Sequence, residues 1–213
     1  MNQKSNKLTI PDLISIGVFT ALYFVLIAIA TFASAALVPG FSNVLLPGVA
    51  ALISGCVYML MVAKVPHFGA ITVMGTVIGL FLFVSGHFAV SFVISVVCSV
   101  AADLIAKMGA YKSRTGILVS YTVFSFGLTG PVLPLWLMRD AYVAILQAKG
   151  KDAAYIDGVF AHITSTTLWV CIGATFVLAV LGGLFGQKMM KKHFTDSRRL
   201  YDGKYFHLRG CLK

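Results

Sequence analysis

Glutamate is absent from all 213 residues, and the seven acids are aspartates. An HExxH zinc site and a pair of catalytic glutamates are therefore impossible. No GxSxG, P-loop or CxxC occurs either, so a nucleophile elbow, a nucleotide cradle and a dithiolate metal site are missing too. The four cysteines read as small packing residues: Cys56, Cys98 and Cys171 sit within apolar runs and Cys211 in the basic tail. The chain is not expected to be an enzyme, to hold a metal or cofactor, or to bind ATP by itself in the usual way. Charge is scarce as well, at 11% of residues, against about 25% in a typical soluble domain. Hydrophobic residues make up 59%, and the mean hydropathy is +0.91. A soluble domain is excluded, and an all-α, polytopic membrane protein is expected.

Residues 13–38 run for 26 positions without a charge. About 20 apolar residues, each rising 1.5 Å, cross about 30 Å of hydrocarbon, so this stretch spans. It is also longer than the roughly 7 to 15 residues of a signal-peptide core, which argues against cleavage. Pro11 and Asp12 suit a helix start, where a missing N–H costs nothing and a carboxylate faces the positive end of the dipole. Further spans are expected at 44–63, 68–85, 88–106, 115–138 and 159–187, with a basic tail at 188–213, all in one membrane domain over 1–213. The fifth contains Gly127, Gly130, Pro131 and Pro134, so its far end should be bent or partly unwound. The connection 139–157 could form a short surface helix in its first half, and the sixth run should begin outside the hydrocarbon.

Six spans put both termini on one side. If that side is cytoplasmic, 14 of the 17 cationic residues lie inside, and only Arg139, Lys149 and Lys151 lie outside, beside Asp140, Asp152 and Asp157. This satisfies the positive-inside rule and accounts for the net charge of +10 without nucleic acid, which would need an aromatic-interleaved basic surface. Asp103 is the one acid within a span, one turn before Lys107. An i, i+4 ion pair is its expected role. That leaves little for a proton- or sodium-coupled carrier, which needs ionisable groups at mid-membrane.

In lipid, small residues make helices adhesive because they let backbones approach. Gly17 and Ala21 stand one turn apart in the first span, which reads as an interaction helix against which the rest of the chain packs. Gly69, Gly75 and Gly79 would serve close approach in the third.

Six spans, both termini inside, the Gly17 and Ala21 pattern and a long outer loop before the last span resemble the substrate-binding S components of energy-coupling-factor (ECF) transporters. More narrowly, KLTIPDLISIGVFTALYFVL at 7–26, AADLIAKMGAYKS at 101–113 and FSFGLTGPVLPLW at 124–136 are similar to the Trep_Strep family of integral membrane proteins. The resemblance implies a multi-pass protein of a bacterial cytoplasmic membrane. Such a protein captures a vitamin or related micronutrient outside and works with a membrane coupling protein, the T component, and two cytosolic ATPases. It implies that the small face of the first helix meets the coupling protein. Here Gly17 and Ala21 replace the alanine-xxx-alanine form of that motif. It also implies an outward-facing pocket built from the outer ends of later helices under loop lids.

Polar and aromatic groups gather at that end: Asn43, His87, Trp136, Arg139, Asp140, Tyr142, Tyr155, His162, Thr164, Thr166 and Trp169. From these, Asn43, His87, Trp136, Arg139, Tyr142, His162, Thr166 and Trp169 are taken as substrate-binding candidates, since a pocket needs an apolar wall with a few placed polar groups. Plainer roles exist for each: interfacial belt for Trp136 and Trp169, loop for His87, solvated charge for Arg139 with Asp140, and packing for His162. A small stand-alone carrier or channel is the alternative class, and a membrane enzyme or assembly factor a third.

Overall fold

The computed structural model describes residues 8–38 and 41–210, with side chains described up to 191. Lys4 and Lys7 of the leader, Pro39 and Gly40 of the first turn, and Cys211 lie outside the described residues. Every regular element among the described residues is helical: α1 (Ile10–Leu37), α2 (Ser42–Lys64), α3 (Ala70–Val84), α4 (Ala89–Met108), α5 (Arg114–Phe126), a 3-10 turn (Gly127–Thr129), α6 (Pro134–Leu137), α7 (Arg139–Ala148), α8 (Ala153–Phe160) and α9 (Ser165–Gly210). Thr9 starts α1 by donating its backbone N–H and hydroxyl to the Asp12 carboxylate at 2.9 and 2.7 Å.

Among the described residues, four helices are long and apolar enough to cross a bilayer: α1, α2, α4 and the 165–191 part of α9. The third expected span is helical over only 15 residues, Ala70–Val84, a rise of about 22 Å. The fifth is helical over 13 residues, then passes through the 3-10 turn to four residues of α6. That unwinding falls at Gly127 to Pro134, where Pro131 and Pro134 have no N–H to donate. The helix expected in the first half of 139–157 is α7. The stretch read as a tail instead continues α9 as helix to Gly210.

The tightest pairing is α2 against α9, not α1 against its neighbours. A Cβ on Gly55 would overlap the Gly182 carbonyl, and one on Gly182 would overlap the Ala51 and Leu52 backbone. Gly186 repeats the contact one turn on, its Cβ position 2.7 Å from the Gly55 oxygen. The expectation that the chain is organised around the first span is thereby corrected. Over its most apolar window α1 is 22% buried, whereas α2 is 56% buried. The reason lies in side-chain spacing: Ile16, Thr20, Tyr23, Ala30 and Ser34 form one buried stripe, while Gly17 and Ala21 lie off it, exposed. Between α3 and α4 the expected close approach is found, Gly75 resting on Ser99 and Gly79 on Ser95. The Ser95 hydroxyl donates to the Gly75 carbonyl at 2.8 Å.

A tyrosine cluster fills the middle. Tyr58 donates to Ser120 Oγ at 2.7 Å, and Ser120 donates onward to the Ala102 carbonyl at 2.6 Å. Tyr121 donates to the Ala51 carbonyl. Rings of Tyr23 and Tyr58 lie against Phe124 at 5.7 and 5.0 Å. These bonds give hydroxyls an internal acceptor where lipid offers none.

Asp103 corrects a second expectation. It is fully buried, and its Oδ2 accepts from the backbone N–H of Gly69 and Thr72 at 2.8 and 3.1 Å and from the Thr72 hydroxyl at 2.9 Å. Its Oδ1 accepts from the Tyr111 hydroxyl at 2.7 Å. Lys107 turns away, its Nζ 4.8 Å from the centre of the Phe68 ring. A helix start carries unpaired N–H groups and a positive dipole end, and Asp103 satisfies both for α3. The ion pair with Lys107 is thus replaced by a cap on a neighbouring helix. Burial, then the Asp103 carboxylate, pushes the Tyr111 phenol well above its ordinary range.

Candidate functional site

Recessed surfaces lie at both ends of the bundle. One belongs to α6, α7 and α8, which fold over the ends of α2, α4 and α9. Helix α7 half-buries Tyr142, Val143 and Leu146 and exposes Asp140, Gln147 and Ala148. It ends at Ala148, and Gly150 two residues on turns the chain with a φ of +72° that suits a residue without Cβ. Helix α8 then starts on Asp152, whose side chain accepts from the Tyr155 N–H at 2.9 Å. Ile156 and Phe160 are driven down onto Val44, Val132, Leu135 and Cys171, so the cap is seated by an apolar cluster of its own.

Several sequence candidates meet there. The Arg139 guanidinium lies 4.9 Å from the centre of the Phe160 ring. Tyr142 meets the same ring edge-on at 6.0 Å and stacks with Phe88 at 5.9 Å. His162 stacks on Phe41 at 4.6 Å, and Asn43 is half-buried in the first turn of α2, two residues on. Trp136 donates its ring N–H to the Thr164 carbonyl at 2.9 Å. Burial pushes the Tyr142 phenol above its ordinary range, with Tyr155 adding to it, so it is a neutral donor near pH 7. A hollow of about 320 Å³ opens between α7 and α8, bordered by Arg139, Gln147, Lys151 and Asp157 over Val143 and Ile156. It offers cation, carboxylate and amide above an apolar floor, a set suited to a small polar molecule.

Other candidates stand apart. His87 lies in the exposed α3–α4 turn, with Nδ1 3.0 Å from the Leu82 carbonyl. Thr166 is exposed, and Trp169 is 71% exposed on α9, the position of a belt residue. Among the additional residues, Asp140 is exposed, and Tyr155 carries Lys151 Nζ over its ring at 4.7 Å. Sequence reasoning missed Thr167, which donates to the His162 carbonyl at 2.7 Å and accepts from the Thr164 N–H at 2.9 Å. It also missed the rings of Phe41, Phe88 and Phe160. Their signal was weak: isolated phenylalanines flanking turns in a chain with 16 of them.

The second surface is a groove of about 310 Å³ between α1 and α3, bordered by Leu13, Gly17, Ala21 and Phe24 on one side and Val73 and Val77 on the other. Nothing lies within 4 Å of a Cβ placed on Gly17. The groove belongs to the end opposite the cap, since Leu8, just before α1, touches Gly69 at the start of α3.

Apolar helices of spanning length, packed through glycine and serine, define a multi-pass integral membrane protein with a build consistent with a transporter-type role. The family model for Trep_Strep, described as a hypothetical bacterial integral membrane protein, matches residues 10–195, and the chain belongs to that family. No curated protein and no solved structure matches it.

Proposed function

We propose that the protein is the substrate-binding S component of an ECF importer. It captures a vitamin-like micronutrient beneath the α6–α8 cap and delivers it inward with a T component and two cytosolic ATPases. In this reading the chain passes six times, α3 and the broken α5–α6 unit supplying the third and fifth passes, and both termini are cytoplasmic. The observation that carries it is the separation of two surfaces: an exposed small-residue groove at Gly17 and Ala21, and, at the opposite end, a hollow between α7 and α8 bordered by Arg139, Lys151, Asp157 and Phe160. A subunit that must hold a ligand at one end while docking on a partner elsewhere needs that division. Arg139, Tyr142, Trp136, His162 and Asn43 are the ligand-facing group, with His87, Thr166 and Trp169 at its margin.

Affinity purification from its own host, followed by native mass spectrometry, tests the reading. An S component brings down a T subunit and ATPases and retains a small molecule. A protein that purifies alone and transports in proteoliposomes without ATPases would instead be a stand-alone carrier or channel.

A further inference from the structure

A third recess, independent of the importer reading, lies at the Gly17 end between α2, α5 and α9. Its volume is about 520 Å³. Lys112 and Arg114 come from the loop and first turn of α5, Lys188 and Lys191 from α9, and no acid lines it among the described residues. The acid nearest in sequence to the loop, Asp103, is consumed by the start of α3 and by Tyr111. Gln187 Nε2 donates to the Arg114 carbonyl at 2.7 Å and ties α9 to the start of α5. The loop itself is held by two non-glycine residues in the left-handed region, Ala110 and Tyr111 at φ 49° and 56°. Lys112, Arg114 and Lys188 therefore border an opening whose backbone edges are tied together.

Beneath that rim the chemistry changes. Met59, Ala63, Ile117 and Leu184 make the floor, and α9 continues from it along the exposed apolar side chains of Leu184, Leu181 and Val177. A soluble anion would use the rim and leave the floor unused. An amphiphile uses both. We propose that this recess binds an anionic phospholipid, its phosphate among Lys112, Arg114 and Lys188 and its acyl chains along Leu184 and the outer face of α9. Basic pockets between membrane helices recognise phosphate headgroups in this manner.

The experiment is native mass spectrometry of the full chain released from detergent supplemented with phosphatidylglycerol or, separately, phosphatidylcholine at equal concentration. Phosphatidylglycerol adducts should exceed phosphatidylcholine adducts by about tenfold or more. The double variant Lys112→Gln, Lys188→Gln should lose that preference. A second double variant, Lys64→Gln, Lys107→Gln, removes the same charge at the same end but outside the recess and should keep it. Equal adducts of the two lipids, or a preference surviving in the first variant or lost in the second, would overturn the site. Displacement of the lipid by equimolar inorganic phosphate or glycerol phosphate would overturn the lipid assignment in favour of a soluble anion.

Discussion

Replacing Asp103 separates two accounts of the only acid within the expected spans. In the structure its carboxylate receives four donors, three at the start of α3 and one from Tyr111. Asp103→Ala strands all four. Each stranded buried donor costs about 1–3 kcal/mol, but Gly69, Thr72 and Tyr111 are only partly buried and recover part of that from water. With the lost attraction to the helix dipole, the expected destabilisation is about 3–5 kcal/mol. Asp103→Asn keeps one oxygen to accept from Gly69 and Thr72 and turns an amide toward Tyr111, which can then accept. Only the charge-dependent part is lost, about 1–2 kcal/mol. Lys107→Ala removes a cation from above Phe68, worth under about 1 kcal/mol at an exposed site. Unfolding in a denaturing detergent titration, followed by far-UV circular dichroism, gives the three values on one scale. If Lys107→Ala cost as much as Asp103→Ala, an ion pair rather than a helix cap would hold this end.

Three further outcomes follow from the two-ended build. With Cys substituted at Lys149 and, separately, at Lys191, an impermeant maleimide should label the first on intact cells and the second only after permeabilisation; the opposite pattern would reverse the topology. Ala21→Trp places a large ring on the α1–α3 groove, where it should abolish assembly with a coupling subunit and leave ligand retention intact; undiminished assembly would remove the groove from the interface. Arg139→Ala and His162→Ala should each weaken ligand binding by about 1–3 kcal/mol through a lost directed contact, read by calorimetric titration with the retained ligand. Unchanged affinity in both would shift the site toward Asn43 and His87.

Much of the bundle is legible in composition alone, because lipid permits few alternatives to a helix. The break after Phe126 was legible for a local reason: prolines at 131 and 134 cannot be interior helix donors. The central pairing was not. Gly17 and Ala21 in the first span and Gly55, Gly182 and Gly186 elsewhere are the same kind of signal, and a sequence does not say which small residue faces a helix of its own chain. The structure assigns the second set to the α2–α9 contact and leaves the first exposed. Asp103 failed for a related reason. Its four-residue spacing to Lys107 is a local pattern, while its partners Gly69 and Thr72 are more than 30 positions away, and long-range partners have no periodicity to betray them.

The same limit explains which parts of the capped end could be anticipated. Polar residues near turns were picked because they are unusual in so apolar a chain, and Arg139, Tyr142, Trp136 and His162 do converge on the cap. What holds Arg139, Tyr142 and His162 there is the aromatic set Phe41, Phe88 and Phe160, each ordinary in this composition. A cation over a ring and stacked rings are worth about 0.5–1.5 kcal/mol apiece, enough to orient side chains and too little to lock α7 and α8 against a ligand that offers better contacts. The cap is seated on Ile156 and Phe160, two buried side chains contributed by an eight-residue helix, whereas α2 and α9 are joined backbone to backbone. The seating of the cap and the integrity of the bundle therefore depend on different residues.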